Sequence, residues 1–273
     1  MAKILSFLSW NVEHFHNDQT RVARVVSAIA AKAPDVFAIY EVKGSAVFTE
    51  MRAQLPDYAI SITESASPVE ILVGVRNSLF GFVTQRDELQ SKVPTLRPGA
   101  LATIDKGGAL YSFLFLHLKS FDDPRDWGLR DDMIQHVCSL KRTIERGLPG
   151  DAKANFVALG DINTMGMSAA YNNDLDIDGA KELEYMDKRL TAGVNGMRRL
   201  PKTHAETWWN GKDNWAPSSL DHVFAADHLN FKSFAGGAEV DVTGWVEEPT
   251  TAAKKDWIDN FSDHAMLYGE IVD

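Results

Sequence analysis

The sequence predicts an α/β fold in which β-sheets pack face to face and helices cover their outer sides. Short apolar runs alternate with segments of helical periodicity, and the middle of the chain is rich in strands joined by short polar connections. No linker, internal repeat or low-complexity tract divides the 273 residues. Because α/β domains of about 250 residues are common, a single domain over residues 1–273 is predicted.

The amino-terminal part of the chain alternates strand and helix. Apolar runs at residues 4–10 and 36–40 are typical of buried strands. Asn17 or Asp18 is expected to cap the helix between them, and Ser45 to cap a shorter helix after the second strand. The apolar positions of the first helix recur at i, i+3, i+4 and i+7, and they are Val22, Val25, Val26 and Ile29.

The rest of the chain is mostly strands, with two further helices. Predicted strands cover residues 58–62, 70–76, 79–85, 100–105, 110–117, 155–160, 220–225, 229–234 and 265–272. Residues 105–108, Asp-Lys-Gly-Gly, are typical of a hairpin turn. One helix is predicted over residues 179–190, and another has an apolar stripe formed by Leu129, Met133, Val137, Leu140 and Ile144.

Charge and composition exclude some functional classes. With 28 Lys and Arg against 38 Asp and Glu, the net charge is −10, so the protein does not hold nucleic acid through a basic surface alone. A local metal-loaded site is compatible with that charge. Cys138 is the only cysteine, which excludes an intrachain disulfide and favours a reducing, cytoplasmic location. No secretory signal and no apolar run near 20 residues is seen, so stable membrane association is not expected.

Polar residues directly follow or precede apolar strands, where α/β folds place their functional sites. They are Asn11, Glu13, Glu41, His117, Asp161, Asn163, Asp221, Asp263 and His264. Each alone is more typical of a turn, a cap or a solvated strand end, and His117 is as typical of a core histidine as of a functional one. Their recurrence along the whole chain instead indicates oxygen-ligand binding of Mg²⁺ or Mn²⁺ and acid–base chemistry on a phosphoester.

Six motifs occur in a fixed order from the first strand to the last. They are Ser9-Trp10-Asn11-Val12-Glu13, Tyr40-Glu41, His117-Leu118-Lys119-Ser120, Gly160-Asp161-Ile162-Asn163, Ser219-Leu220-Asp221-His222 and Ser262-Asp263-His264. Together they resemble the endonuclease/exonuclease/phosphatase superfamily, which has the deoxyribonuclease-I-like fold. The resemblance implies a four-layer α/β/β/α sandwich of two mixed β-sheets flanked by helices, and it implies phosphoester hydrolysis.

The resemblance also implies a metal site. Glu41 resembles the principal metal-ligand glutamate of the family, with Asn11, Glu13 and Asp263 as further ligands. Glu13 departs from the pattern, because the family often has an aspartate there. Carboxylates crowded at one edge repel each other without a cation, which is a physical reason to expect Mg²⁺ or Mn²⁺.

Catalytic roles follow from the same resemblance. Asp161 resembles the aspartate that orients or deprotonates the attacking water, and Asn163 its phosphate-contacting neighbour. His264 resembles the histidine that stabilises phosphoryl charge or serves as base. Asp221 is expected to hold His264 in one tautomer, as carboxylates commonly do for catalytic histidines.

His117 bears on the branch of the family. A histidine at this position resembles deoxyribonuclease-I-like and sphingomyelinase-like members, whereas abasic-site repair endonucleases have a tyrosine. The histidine form is paired with a glutamate from an early central strand, for which Glu70 is the nearest candidate. His117 therefore argues against an abasic-site specialist.

Candidate substrate contacts come from three places. They are Lys119 and Arg130 after the His117 motif, Trp208, Trp209 and Trp215 before Asp221, and the basic run at residues 198–202. An exposed helix face, packing at the sheet rim and a solvated loop are the respective alternatives. Tryptophan stacking on a base contributes about 1–3 kcal/mol, so this loop favours a polynucleotide substrate and a nuclease. The protein is expected to be a monomer. The alternative is a phosphatase or phosphodiesterase on small or lipid phosphoesters, which the acidic charge suits better.

Overall fold

The computed structural model describes residues 2–15, 18–43 and 45–273. Its strands are β1 (Lys3–Phe15), β2 (Val36–Val42), β3 (Tyr58–Ile62), β4 (Glu70–Arg76), β5 (Phe80–Arg86), β6 (Gly99–Lys106), β7 (Ala109–His117), β8 (Asn155–Asp161), β9 (Met197–Arg199), β10 (Asp221–Ala226), β11 (Asn230–Phe231), β12 (Asp241–Thr243) and β13 (Met266–Val272). Its helices are α1 (Gln19–Lys32), α2 (Ser45–Gln54), α3 (Pro124–Arg146), α4 (Gly179–Thr191) and α5 (Thr251–Asn260). Among the described helices, none combines the length and apolar character needed to span a membrane.

The strands form two mixed sheets. The first has the order β11-β13-β1-β2-β4-β3, with β12 also paired to β13, and the second has the order β5-β6-β7-β8-β10-β9. Each sheet contains one parallel pair, β1 with β2 and β7 with β8, and antiparallel neighbours on both sides of it. The carboxyl ends of the two parallel pairs carry the residues expected at the site.

Apolar side chains pack in three clusters that correspond to three interfaces between layers. The central cluster joins the two sheets and includes Phe7 and Tyr40 from the first and Phe113 and Leu159 from the second. A second cluster packs α1 and α2 on the first sheet, and a third packs α3 and α4 on the second sheet. The predicted four-layer α/β/β/α sandwich is confirmed.

Local capping chemistry explains where the helices begin. The carboxylate of Asp18 accepts hydrogen bonds from the N–H groups of Thr20 and Arg21 at the start of α1. The alternative cap at Asn17 and the cap predicted at Ser45 involve side chains outside the described residues. Asp123 caps α3 in the same way, and Pro124 occupies the first turn.

The structure differs from the sequence expectation at several elements, including the short strands β9 and β12, which were not predicted. The first strand continues to Phe15, because Phe15 still pairs with Val42 across an irregularity in the β1–β2 ladder. Residues 229–234 form only the two-residue strand β11. Helix α5 was not expected, since its apolar periodicity is weak and Ile258 is its one residue classed as buried.

Candidate active site

The strand ladders bring the predicted residues to one place. His117, the last residue of β7, lies opposite Asp161, the last residue of β8, and Asp161 lies opposite Asp221 at the start of β10. A Cβ on Gly160 would lie 2.0 Å from the carbonyl oxygen of Leu116, so the absent side chain lets the two strands approach at this point. The register of the second sheet therefore sets three functional side chains side by side.

Asn11 connects the two sheets at the centre of the site. Its side-chain Nδ2 donates to Asp161 Oδ2 over 2.9 Å and to Glu41 Oε1 over 3.3 Å. Its Oδ1 accepts from the backbone N–H of Glu13 over 3.0 Å. The second oxygen of Glu41 accepts from the backbone N–H of His14 over 2.9 Å. Two carboxylates from different sheets are thus held together through one buried amide.

The two carboxylates differ in their protonation. Burial alone would raise the pKa of Glu41, but the His14 N–H and the nearby His14, Asn11 and His264 side chains lower it below its ordinary value. Burial raises the pKa of Asp161 to about 7 against the opposing effect of His264. Glu41 therefore carries its charge more readily than Asp161 does.

His117 is buried against both carboxylates. Its Nε2 lies 3.4 Å from Asp161 Oδ2 and 3.8 Å from Glu41 Oε1. Burial, and then the charge of Arg97, lowers the pKa of His117 well below its ordinary value, so the ring is neutral at pH 7. Glu70 is not the partner expected for His117, because its carboxylate accepts from Thr63 and Ser65 instead. Within the described chain, His117 Nδ1 has no hydrogen-bond partner.

His264 and Asp221 form the pair that the sequence predicted. Nδ1 of His264 donates to Asp221 Oδ2 over 2.8 Å, and its Nε2 faces Asp161 Oδ2 at 3.9 Å. Burial alone would lower the pKa of His264, but Asp221 and the other nearby carboxylates hold it well above its ordinary value. The backbone of His264 is fixed by Trp10 Nε1, which donates to its carbonyl over 2.9 Å.

Asp263 and Glu13 complete the acidic group. One oxygen of Asp263 accepts from Trp208 Nε1 over 2.7 Å, while the buried Oδ1 has no hydrogen-bond partner among the described residues. Burial raises the pKa of both Asp263 and Glu13. The charge of Asp263 also raises the pKa of Glu13, and those of Glu41 and Asp221 raise the pKa of Asp263. A buried, unpartnered carboxylate oxygen beside other carboxylates fits a site for a hard divalent cation.

Backbone strain is concentrated at the same residues. Glu41 and Asn163 have φ values of 63° and 54°, in the left-handed region that L-residues other than glycine seldom occupy. Asn163 is held there by its N–H, which donates to Asp161 Oδ1, and by its side chain, which donates to the carbonyl of Leu118. Such strain persists where the surrounding structure over-determines it, and it clusters at functional sites.

Two predicted substrate contacts lie elsewhere. Arg130 is fully buried, and its five N–H donors are bonded to Glu182 and to three backbone carbonyls. Lys119 forms an ion pair with Asp126 over 3.0 Å. The structure does not support the expected contact of Arg130 with substrate, because a guanidinium closed off from solvent has no donor left for a phosphate. The prediction for Lys119 is not supported, since its ammonium is already paired.

The side chains of the basic run are also bonded within the protein. Arg198 forms a bidentate ion pair with Glu239, and Arg199 forms one with Asp187. Lys202 donates to Ser219 Oγ and to the carbonyl of Asp221, both over 2.8 Å. The charges of Arg198 and Arg199 are therefore paired, and the Lys202 ammonium is bonded to two neutral acceptors, so the run has fewer free donors for a phosphate than expected.

The tryptophans of one loop have different positions. Trp208 and Trp215 line the cleft, with their rings edge to face at 6.3 Å. Trp209 is buried in the central core, and its Nε1 donates to the carbonyl of Trp215 over 2.9 Å. Trp208 is therefore placed where it could contact a substrate, as expected, whereas Trp209 is not.

The cleft has a volume of about 700 Å³ and includes residues that the sequence analysis missed. Arg97 lies beneath His117, donating to the backbone carbonyls of His117 and Leu118 over 3.1 and 2.8 Å. Phe121 and Met165 form part of the wall. Arg97 stands just before β6, outside the strand-end pattern, so its position gave no signal.

Comparisons with known proteins agree with this fold. The model of the Endonuclease/Exonuclease/phosphatase family matches residues 8–264. TDP2 from Caenorhabditis elegans is 16% identical, with a TM-score of 0.67 and 98% of each chain covered. TDP2 from D. rerio, solved with a single-strand DNA product, is 16% identical, with a TM-score of 0.67 and 98% and 99% covered.

A further solved structure belongs to a phosphatase. The mannosyl-6-phosphatase Bt3783 from Bacteroides thetaiotaomicron is 13% identical, with a TM-score of 0.62, and covers 98% of this chain and 100% of its own. A search of curated proteins gave no match. At these identities, the structural similarities show the shared fold.

Proposed function

The chain belongs to the endonuclease/exonuclease/phosphatase family, whose members are phosphoester hydrolases, and on this basis we propose that it is a divalent-metal-dependent nuclease. The observation that carries the proposal is the cluster in which the Asn11 amide joins Glu41 to Asp161, beside the His264–Asp221 pair. This cluster combines a metal-binding group with groups that move a proton.

The residues present fit a divalent cation. Glu41 keeps its charge, and Asp263 Oδ1 is buried with no hydrogen-bond partner among the described residues. Glu41 and Asp263 would hold the ion, with Glu13 beside them. Mg²⁺ or Mn²⁺ prefers such oxygen ligands and, when bound, supplies Lewis-acid stabilisation of charge on the phosphoryl oxygens. Asn11 instead uses its amide to hold the carboxylates.

The other residues bind the phosphoester and handle a proton. Asp161 orients the attacking water in line and accepts its proton. His264 is protonated, and it donates a hydrogen bond to a phosphoryl oxygen through Nε2 because its Nδ1 is bonded to Asp221. His117 and Asn163 line the same cleft next to Asp161 and complete the phosphoryl-binding surface.

Nucleic acid is the substrate that we propose. The aromatic rings of Trp208 and Trp215 line the cleft, and such rings bind bases by stacking without sequence preference. The structural neighbour TDP2 from D. rerio binds a single-strand DNA product. The cytoplasmic location and the monomeric state stay predictions.

A small phosphoester is the second candidate substrate. Arg130, Arg198 and Arg199 are all in ion pairs, so the described surface offers fewer cations to a polynucleotide than the sequence suggested. A structural neighbour is a mannosyl-6-phosphatase. Both observations favour a compact substrate.

One panel of substrates tests the proposal. Purified protein with Mg²⁺ or Mn²⁺ is incubated with plasmid, single-stranded DNA, RNA, an abasic-site duplex, sphingomyelin and inositol phosphates. We expect cleavage of nucleic acid that stops in excess chelator and returns when the metal is restored. Hydrolysis of small phosphoesters without any cleavage of nucleic acid rejects the nuclease. Full activity in chelator rejects the metal.

A further inference from the structure

A serine and a lysine meet at one side of the cleft, and no step of the proposed phosphoester mechanism uses them. Ser219 lines the cleft, and its hydroxyl oxygen lies 2.8 Å from Lys202 Nζ. Lys202 Nζ also donates to the backbone carbonyl of Asp221 over 2.8 Å. A nucleophilic side chain, a base within hydrogen-bond reach and a third group that orients the base are the components of an activated nucleophile.

The Lys202 amine is available as a base near neutral pH. Burial lowers its pKa to about 7; the charges of Asp221 and Glu206 oppose this shift, and that of Arg199 adds to it. The neighbouring His222 is neutral at pH 7, because burial lowers its pKa well below the ordinary value. About half of the Lys202 side chains therefore carry a free lone pair at pH 7.

The two contacts of Lys202 determine where its lone pair is directed. The carbonyl of Asp221 only accepts hydrogen bonds, so Lys202 donates to it whether the amine is charged or neutral. The Ser219 hydroxyl both accepts and donates. A neutral amine therefore accepts the Ser219 proton through its lone pair, which is the arrangement that proton transfer from Oγ to Nζ requires.

The backbone around Ser219 is fixed by further hydrogen bonds. The Ser219 carbonyl accepts from Thr164 Oγ1 over 2.6 Å and from His222 Nε2 over 3.1 Å. The N–H groups of the next two residues both donate to the buried Thr207 hydroxyl. Ser219 therefore presents its hydroxyl in one place, which reduces the entropy lost when it attacks a bound substrate.

We propose that Ser219 and Lys202 form a nucleophile–base pair that hydrolyses uncharged carboxylic esters, as a second activity of the cleft. An ester of this class suits the pair, because it brings no negative charge next to the carboxylates of the cleft. Within the described chain, neither side chain is bonded to the proposed metal ligands Glu41 and Asp263. The activity therefore needs no divalent cation, and it does not depend on the proposed nuclease function.

The reaction requires only the pair and one water molecule. Ser219 Oγ attacks the carbonyl carbon and forms an ester bond to it, while its proton passes to Lys202 Nζ. The bond between that carbon and the alkoxy oxygen then breaks, and Lys202 gives the proton to the departing alcohol. Water next attacks the acyl carbon; Lys202 takes a proton from the water and passes it to Ser219 Oγ, and the carboxylic acid leaves.

Ester hydrolysis in the presence of a chelator tests the pair. The purified protein in excess EDTA is incubated with p-nitrophenyl butyrate, and product beyond one equivalent per chain is counted as turnover. We expect kcat/KM to fall by about 10²-fold or more in Ser219→Ala and in Lys202→Arg, since a general base contributes at least this factor. Arginine keeps a charged hydrogen-bond donor at this position but cannot act as a base near pH 7.

A neighbouring serine provides the matched control. Ser218 also lines the cleft, but within the described chain its hydroxyl is not bonded to Lys202. Ser218→Ala should therefore leave kcat/KM for the ester close to the value of the wild type. An equal loss in Ser218→Ala and Ser219→Ala would reject Ser219 as the nucleophile.

Two further readouts distinguish a catalytic pair from a merely structural one. In the wild type, kcat/KM should rise with pH through about 7 and then level off, because Lys202 acts as a base only after it loses its proton. Product is measured at the isosbestic wavelength of p-nitrophenol. A fluorophosphonate probe should label Ser219, since Oγ displaces fluoride from phosphorus and its proton leaves with the fluoride. Peptide mass spectrometry locates the label.

The outcomes separate this activity from the proposed function. Ester turnover in EDTA without cleavage of nucleic acid in Mg²⁺ or Mn²⁺ supports the pair and rejects the nuclease. Cleavage of nucleic acid without ester turnover rejects the pair alone. Full turnover in Ser219→Ala, or a label on another residue, also rejects it. If circular dichroism shows that Lys202→Arg is unfolded, the wild-type pH profile decides, and a flat profile rejects Lys202 as the base.

Discussion

The strand-end cluster and the two paired cations Lys119 and Arg130, which we call the rim, are built in different ways. Asp161, His117 and Asp221 lie at positions that the β-ladders determine, opposite one another in register. On the rim, ion pairs set the direction of the side chains: Lys119 pairs with Asp126, and Arg130 pairs with Glu182. Backbone pairing thus determines the first group, and side-chain partners determine the second.

The two regions also differ in how their charges are balanced. At the cluster, burial raises the pKa of Asp161 to about 7, and it raises the pKa of Asp263 as well. On the rim, Arg130 has every donor bonded. A buried ionisable group without an ion-pair partner is tolerated where it serves function, whereas a buried ion pair contributes to folding. Substitutions should therefore reduce activity in the first region and stability in the second.

The largest effect is expected at the cluster. Glu41→Ala and, separately, His264→Ala should each lower kcat/KM by about 10³-fold or more, because transition-state charge loses its stabilisation. The melting temperature of Glu41→Ala should stay close to that of the wild type. His264→Ala also leaves Asp221 buried without its partner, so its melting temperature should fall, and its activity is measured at a temperature at which it is folded. Steady-state kinetics and thermal denaturation measure the two quantities. Glu184→Ala, which removes an exposed carboxylate on α4, is the control, and full activity of either site variant would contradict the mechanism.

On the rim, removal of a charged side chain should reduce the stability of the folded protein. Arg130→Met should lower the free energy of unfolding by about 3 kcal/mol, because it leaves Glu182 buried without its partner. Urea denaturation measures the loss. Adding Glu182→Leu should restore much of it, since no unpaired charge remains. A variant with unchanged stability and lost activity would restore the original view of Arg130 as a substrate contact.

The smallest effect concerns Lys202, which donates to the backbone carbonyl of Asp221 in the cluster. Burial lowers its pKa to about 7, so the folded state loses this proton as the pH rises through 7, while the unfolded chain keeps it until near its ordinary pKa of 10.5. The unfolded state then binds more protons, so stability rises with pH. We expect the wild type to gain about 1 kcal/mol relative to Lys202→Met between pH 7 and 8.5. Urea denaturation at both pH values tests this, and parallel pH dependences would contradict it.

Much of the fold could be predicted from sequence patterns that depend only on residues close together in the chain. The helix face at Val22 and Val25 and the apolar runs ending at Tyr40 and His117 were recognisable because their periodicity is local. Helix α5 was missed, because its packing depends on the tertiary contact of Trp257 with Trp10.

The same distinction holds within the candidate site. The strand-end residues, such as Glu41 and His264, could be identified from the sequence, because a residue that flanks a buried strand emerges at the sheet edge. Tertiary contacts were needed to show that Arg130 is buried in an ion pair with Glu182. They were also needed to show that Trp209 packs in the central core and that Arg97 lies beneath His117. The direction of a long side chain depends on which partner lies within its reach, and that partner comes from a distant part of the chain.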